Sequence, residues 1–171
     1  MSLVGSIRAA INLTQTPVSE IGSATASVLN ATNQFNWPVT DGVAINEADL
    51  VFVDQRTLGI GASEELDLYG VLADVFGVVL NFAKIKMIYV KAKLDNGALI
   101  KVGNAAANQW VGPFGGGTET QELEGGAMYM AATPSLAGWA VTNGSADKLG
   151  IENSDGAAVA VYDIVLVGTS A

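Results

Sequence analysis

Three carboxylates lie close together at Glu64, Glu65 and Asp67 and form the densest acidic group in the chain. A calcium site needs several oxygen ligands around one turn, and the spaced Asp/Asn–Gly pattern that builds such a loop is missing. A glycosidase needs two opposed carboxylates in a cleft, and the sequence singles out no such pair. We therefore expect a solvated turn in which Asp67 caps a helix.

The residue types on which most enzymes rely are absent. The chain has no cysteine and no histidine, and thus lacks both thiolate chemistry and the commonest general base and metal ligand. Glycines at residues 59, 61 and 115–117 lack the Lys-Ser/Thr of a phosphate loop and indicate turns. The sequence predicts a protein that is not an enzyme and has no catalytic, cofactor-binding or metal-binding residues.

Five of the eight basic residues lie within eighteen positions, at Lys84, Lys86, Lys91, Lys93 and Lys101. The segment fits an edge strand whose lysines deter unwanted pairing, and the alternative is a basic strip that docks on an acidic partner. Lys84 and Lys86 share one parity along a strand, whereas Lys91 and Lys93 share the other. If all four are solvated, a β-bulge near residues 88–90 must reverse the polar face.

Aromatic residues offer a second kind of contact. Trp37, Trp110 and Trp139 each lie near Gly, Pro or Asn, which indicates positions close to loops. Exposed tryptophans would stack on sugars or anchor a protein contact, whereas buried ones would close the ends of a sandwich. Trp110 and Phe114, which share one short segment, are candidate contact residues together with Trp37.

Strands must position these side chains, because the composition favours β-structure. Half of the 171 residues are hydrophobic, twenty are glycine and only 15% are charged. The apolar patterns predict strands at residues 49–54, 85–94, 98–102, 118–123, 127–132, 148–153 and 158–167, with the last one central and a tight hairpin turn at 95–97. An all-β, antiparallel sandwich follows, most simply a jelly roll.

Residues 66–76 depart from this strand pattern. Their apolar side chains recur with helical spacing between Asp67 and Gly77, which predicts one short helix. Gly70 weakens a helix, so two short strands across a turn are the alternative.

The first 48 residues are the least regular, and we separate them from a sandwich domain at residues 49–171. The stretch from Ile7 to Leu13 predicts a strand or an arm, and a polar stretch follows at residues 19–36. An arm that reaches a neighbouring subunit and an irregular wrap over the chain's own domain both fit. On the first interpretation Ile7 and Leu13 are interface residues.

The net charge of −9 argues against a nucleic-acid partner, which would require a basic surface. Lysines interrupt the best apolar run, which falls short of the ~18 residues of a membrane helix, so we expect no membrane partner. The first residues lack the pattern of a signal peptide, and the missing cysteines suit folding in a reducing cytoplasm.

Several segments together resemble the head decoration, or cement, proteins of tailed phages. The likeness spans about residues 50–171 and rests on Asp54-Gln-Arg-Thr-Leu58, the run from Ala62 to Gly77, Ile85-Lys-Met-Ile-Tyr-Val-Lys91, Val102-Gly-Asn-Ala-Ala-Ala107, Gly125-Gly-Ala-Met-Tyr-Met130 and Tyr162-Asp-Ile-Val-Leu-Val-Gly168. These elements are strands and turns without a catalytic signature. The first 48 residues lie outside the resemblance.

The resemblance implies a jelly-roll protein that is made in the host cytoplasm and stabilises the capsid exterior. Its partner would be the major capsid protein of the same phage, whose neighbouring subunits it would bridge as a homotrimer, with a dimer as the alternative. A head-fibre, neck or tail component is a second hypothesis. A carbohydrate-binding jelly roll that uses Trp110 and Trp139 as stacking platforms is a third.

Overall fold

The computed structural model describes residues 2–15 and 29–171. In that part of the chain thirteen strands are connected mostly by turns, and the one helical element is a 3-10 turn at Gly112–Phe114. The strands are β1 Gly5–Gln15, β2 Leu29–Val39, β3 Leu50–Leu58, β4 Ser63–Asp67, β5 Tyr69–Ala73, β6 Val79–Asn81, β7 Lys84–Ala92, β8 Ile100–Gly103, β9 Thr120–Leu123, β10 Met128–Ala132, β11 Trp139–Ala140, β12 Lys148–Asn153 and β13 Ala160–Thr169.

Eight of these strands form two antiparallel four-stranded sheets. The first sheet has the order β10-β7-β13-β3, with the short β11 also paired to β7, and the second has the order β4-β12-β8-β9. Numbered along the chain, the eight strands therefore run 1-8-3-6 in the first sheet and 2-7-4-5 in the second. This arrangement is the jelly roll that the sequence predicts.

Burial alternates along the first part of β13, residues 160–166, so that one face of the strand lies in the sandwich core. Tyr162, Ile164 and Leu166 point into the main core, whereas Asp163 and Val165 between them are only partly buried on the outer side. β13 lies between β7 and β3, which confirms the prediction of a central strand. The core also takes side chains from the second sheet, including Leu66, Ile100, Val102, Leu149 and Ile151.

The helix expected at residues 66–76 is absent; the segment forms β4 and β5, in agreement with the two-strand alternative. Leu68 and Leu72 are buried in the main core, whereas Val75 and Phe76 are exposed. The helical spacing therefore does not correspond to one buried face. Gly70 has φ +95°, which lies outside the right-handed helical region. Glycine adopts such a positive φ more readily than any other residue.

A β-bulge interrupts β7, but it lies nearer the start of the strand than expected. Met87 pairs with Val167 and Ile85 pairs with Gly168, so Lys86 is the extra residue. A side chain at Gly168 would collide with the carbonyl oxygen of Lys84, which explains the glycine at this close approach. The bulge directs both Ile85 and Ile88 into the main core.

The connection at residues 95–97 is not the expected hairpin turn, because β7 and β8 belong to different sheets. Asn96 accepts a hydrogen bond from Val161 N at 3.0 Å and donates one to Val161 O at 2.8 Å. These two bonds attach the connection between the sheets to β13.

In the described ranges no helix is long and apolar enough to cross a membrane.

Candidate interaction surface

The region before the sandwich, where the sequence predicts a strand or arm at residues 7–13 and little other regularity, contains a long antiparallel hairpin. β1 and β2 pair without interruption from Gly5 opposite Val39 to Gln15 opposite Leu29. Eleven residues of strand extend about 36 Å at ~3.3 Å per residue. We call this hairpin the arm; it joins the sandwich through residues 40–49.

The base of the arm packs on the outer face of the first sheet. Trp37 and Val39 are buried there against Met87 and Val167, and Ile7 and Phe35 are among the partly buried residues of the same cluster. The Trp37 indole Nε1 donates a hydrogen bond to Asn46 O at 3.0 Å. Trp37 is therefore a structural anchor rather than a free contact residue, and Ile7 belongs to the same contact.

Beyond the base, the part of the arm that the structure describes leaves its apolar side chains Ile11 and Leu13 uncovered. Residues directly paired in an antiparallel hairpin point to the same side, and alternate residues share a face. Ile7, Ile11 and Leu13 thus share the face of Trp37, yet Ile11 is 58% and Leu13 64% exposed. The face of the arm that is buried at the base is thus exposed to solvent at Ile11 and Leu13.

The opposite face of the arm is polar. Arg8, Asn12, Gln34 and Asn36 all lie on it and are exposed. The Arg8 Nε donates a hydrogen bond to Asn36 Oδ1 at 3.1 Å across the two strands. Among the described side chains, this face is therefore mostly polar, whereas the face of Trp37 carries Ile7, Ile11 and Leu13 together with one polar residue, Asn33 opposite Ile11.

Lys86 stabilises the joint between the arm and the sandwich, by which we mean residues 40–49. Its side chain is fully buried, and Nζ donates hydrogen bonds to Ala44 O at 2.6 Å and Glu47 O at 2.9 Å. Burial, and secondarily the charge of Lys84, lowers the pKa of Lys86, while Glu47 and Asp49 oppose that shift. Lys86 is thus wrongly predicted as a surface contact, because the bulge turns it under the connecting loop.

The remaining lysines do not form one continuous basic strip. Lys84 is half-buried, while Lys91 and Lys93 are exposed. Lys91 stands opposite Asp163 in the sheet, which places an acid beside it. Lys101 pairs in register with Glu122 on one side and Glu152 on the other. Acidic neighbours therefore offset much of the positive charge of this segment.

Trp110 and Phe114 form an aromatic cluster within the protein. Trp110 is 2% exposed, its Nε1 donates to Ala140 O at 3.0 Å, and its ring meets Phe114 edge-on at 6.1 Å. Phe114 stacks on Tyr129 at 5.7 Å and is half-buried. Trp110 therefore presents no free ring face to a partner, and Trp139, paired with Ile85, is also partly buried.

The three clustered carboxylates serve separate structural roles. Glu65 Oε1 accepts a hydrogen bond from Ala106 N at 2.7 Å. Asp67 caps the turn into β5 by accepting from Tyr69 N at 3.0 Å and pairs with Lys148 at 3.4 Å. Glu64 lies on a different network. In the described ranges no group of three or more acidic residues is arranged to hold a metal ion.

Glu64 links two strands of the first sheet to β4 through a network that the sequence did not reveal. The Tyr162 hydroxyl donates to Glu64 Oε1 at 2.7 Å, and Arg56 Nε donates to Glu64 Oε2 at 2.7 Å. The hydrogen bond from Glu64 raises the pKa of Arg56, and burial followed by the same carboxylate raises the pKa of Tyr162. Both shifts favour the protonated forms, and the hydrogen bonds tie β3 and β13 to β4.

The β5–β6 hairpin forms a second exposed apolar surface that sequence reasoning missed. Its outward side chains are more than half exposed, namely Val71, Val75, Phe76, Val78 and Val79. The signal was present as an apolar run interrupted only by Asp74 and Gly77, but the helical spacing concealed it.

Searches against protein-family models, curated proteins and solved structures each found no match to this chain.

Proposed function

We propose that this protein is a structural component of a phage virion that decorates the capsid and bridges neighbouring major-capsid subunits. The observation that carries the proposal is the arm. Its apolar face is anchored on the jelly roll at Trp37 and is uncovered at Ile11 and Leu13. A partner surface that covers Ile11 and Leu13 would extend the burial that the described part of the chain provides only at the base of the arm.

The physics of the arm favours a partner of this kind. An isolated two-stranded hairpin is marginally stable in water, so the outer part of the arm gains from packing on another protein. Full burial of an Ile or Leu side chain contributes about 1.5–3 kcal/mol. A single contact of this size binds weakly, but the overall attachment becomes strong when many contacts are made to one repetitive shell.

The sequence adds two supports. Residues 54–58, 62–77, 85–91, 102–107, 125–130 and 162–168 resemble head decoration proteins, and residues 50–171 contain the complete jelly roll. The chain carries a net charge of −9, which disfavours contact with packaged nucleic acid and suits the capsid exterior. We propose a homotrimer as the assembly, with a dimer as the alternative.

The structure weakens one competing function. A carbohydrate-binding module that stacks sugars on Trp110 requires an open indole face, and this ring is buried against Phe114 and bonded to Ala140 O. A head-fibre, neck or tail protein would use an arm of the same kind. These virion positions differ in copy number rather than in local chemistry.

Quantitative mass spectrometry of purified particles tests the proposal. A decoration protein is expected in a fixed and high ratio to the major capsid protein. A few copies per particle would move the chain to a fibre, neck or tail. Absence from the particle would contradict a virion function altogether.

A further inference from the structure

The outer edge of β1 has no pairing strand in the part of the chain that the structure describes. The arm is a sheet of two strands, so β1 pairs with β2 on one side only. Of the further backbone hydrogen bonds among the described residues, none involves residues 5–15. The outward N–H and C=O groups of such an edge are a template on which another strand can pair.

β1 lacks the features that normally keep a strand edge from pairing, namely short length, lysine, proline and β-bulges. It is eleven residues long, contains neither lysine nor proline, and pairs with β2 without a register shift. Its one charged side chain is Arg8. The opposite edge of the arm is less suited to pairing, because β2 contains Pro38 and three asparagines.

The outermost strands of the two sandwich sheets are protected in the usual ways. β4 has three acids among its five residues, and β9 is four residues long and contains Glu122. β10 is only five residues long, and the longer β3 contains Asp54 and Arg56. Protection is thus present at the edges of the sandwich and missing at β1, which makes β1 the edge suited to accept a strand.

The sequence of β1 is complementary to a second copy of itself. Two antiparallel β1 strands related by a twofold axis at Ala10 pair along all eleven residues. The facing residues then include Ile7 with Leu13, Ala9 with Ile11, and Arg8 with Asn12. Facing residues lie on the same side of a sheet, so apolar side chains meet apolar side chains and the two Arg8 charges do not face each other. A slip of one residue would place the apolar face of one arm beside the polar face of the other.

We infer that two copies of this chain pair through the outer edges of β1, with the twofold axis at Ala10. The two arms then form one sheet with the order β2-β1-β1-β2 and one continuous apolar face. A two-stranded hairpin is marginally stable, and three or more strands with an apolar face make a sheet more stable. Charge agrees with this contact, because Arg8 is the one charge in β1 and β2 while the chain carries −9. A twofold contact closes at two copies and therefore favours the dimer over the trimer.

Sedimentation tests the pairing in the absence of a capsid, so the result does not depend on the proposed function. The wild-type chain is expected at twice its 17.5 kDa mass. Ala10→Lys places two like charges opposite each other at the axis and should weaken the dimer at least about fivefold. A wild-type chain that sediments as one copy or as three would overturn the inference.

Gln34→Lys is the matched control. Gln34 pairs with Ala10 within the arm, both residues are exposed, and the substitution adds the same charge to the same face one strand further from the axis. Its dimer should be as tight as that of the wild type. Equal weakening by both substitutions, or no weakening by Ala10→Lys, would contradict pairing at the edge of β1.

Oxidative cross-linking tests the position of the axis. The chain has no cysteine, so Ala10→Cys introduces a single thiol in each copy. Directly opposite residues of paired strands have Cβ atoms about 4.5–5.5 Å apart, within reach of a disulfide after a small adjustment. Ala10→Cys should therefore form covalent dimers, whereas Gln34→Cys, at a position that is also exposed, should stay mostly unlinked. Equal linking of the two variants, or no linking at residue 10, would overturn the assignment of the axis.

Discussion

Ile11 and Trp37 lie on the same face of the arm, but Trp37 is 1% exposed and Ile11 is 58% exposed. The arm is therefore anchored at Trp37, whereas its Ile11 side chain is open to contact. A substitution at Trp37 therefore tests what holds the arm on the sandwich, and a substitution at Ile11 tests what the arm binds.

Trp37→Ala should detach the base of the arm. Truncation of a buried tryptophan costs about 3–5 kcal/mol, and the hydrogen bond to Asn46 O is lost as well. The main core belongs to a separate cluster and should persist. We expect a large drop in the free energy of denaturant unfolding and faster proteolysis within the arm.

Asn36→Ala is the control for this change, since Asn36 is the exposed neighbour on the polar face. Its effect should stay within about 0.5 kcal/mol, as for most surface substitutions. Equal stabilities for the two variants would contradict the role of Trp37 as the anchor.

Lys86→Met should destabilise the joint at neutral pH. Two backbone carbonyls, of Ala44 and Glu47, lose their donor, and a buried polar group without a partner costs about 1–3 kcal/mol. Release of the buried charge offsets part of this cost. We expect a net loss of about 1–3 kcal/mol by urea unfolding, whereas Lys93→Met at an exposed site should change little. A Lys86→Met protein as stable as the control would rule out this role.

The pH dependence of the Lys86 contribution has a definite sign. Burial lowers the pKa of Lys86 in the folded protein from its ordinary 10.5. Between the lowered value and 10.5 the unfolded chain binds more protons than the folded chain, so the free energy of unfolding rises with pH. The stability difference between wild type and Lys86→Met should therefore grow across this window and stay constant below it. A difference that falls toward pH 10.5 would contradict the assignment.

Tyr162→Phe should remove a charge-assisted hydrogen bond and little else. The hydroxyl donates to Glu64 at 2.7 Å, and such bonds contribute about 1.5–3 kcal/mol. Because burial raises the pKa of Tyr162, the variant should leave the phenolate absorbance of the folded chain near pH 10 unchanged. A decrease of that absorbance in the variant would show that Tyr162 ionises in the folded state.

Much of the sandwich could be predicted from the sequence, because short apolar runs between turn residues indicate strands, and a run that is apolar on both faces indicates a central strand. The strands at β3, β10, β12 and β13 follow from this pattern, and so does the central position of β13. Residues 66–76 were misread because their apolar spacing fits a helix. Only the fold shows that Leu72 points inward while Val75 and Phe76 point outward.

The candidate site was less predictable, since its key contacts join distant parts of the chain. The parity of the lysines indicated a bulge, but no local pattern could reveal that Lys86 binds carbonyls 39 and 42 residues earlier. The exposure of Leu13 and the burial of Trp37 likewise depend on where the sheet ends beneath the arm. Periodicity predicts which face of a strand is buried, but it does not predict over how many residues that face stays covered.

Binding of arm variants to capsids assembled without this protein tests the central claim most directly. Ile11→Asp and Asn12→Asp add the same charge at adjacent exposed positions on opposite faces of the arm. Loss of an isoleucine contact of about 1.5–3 kcal/mol predicts binding at least about tenfold weaker for Ile11→Asp, and Asn12→Asp should bind like wild type. Equal binding by both variants, whether retained or weakened, would contradict a capsid contact through the apolar face of the arm.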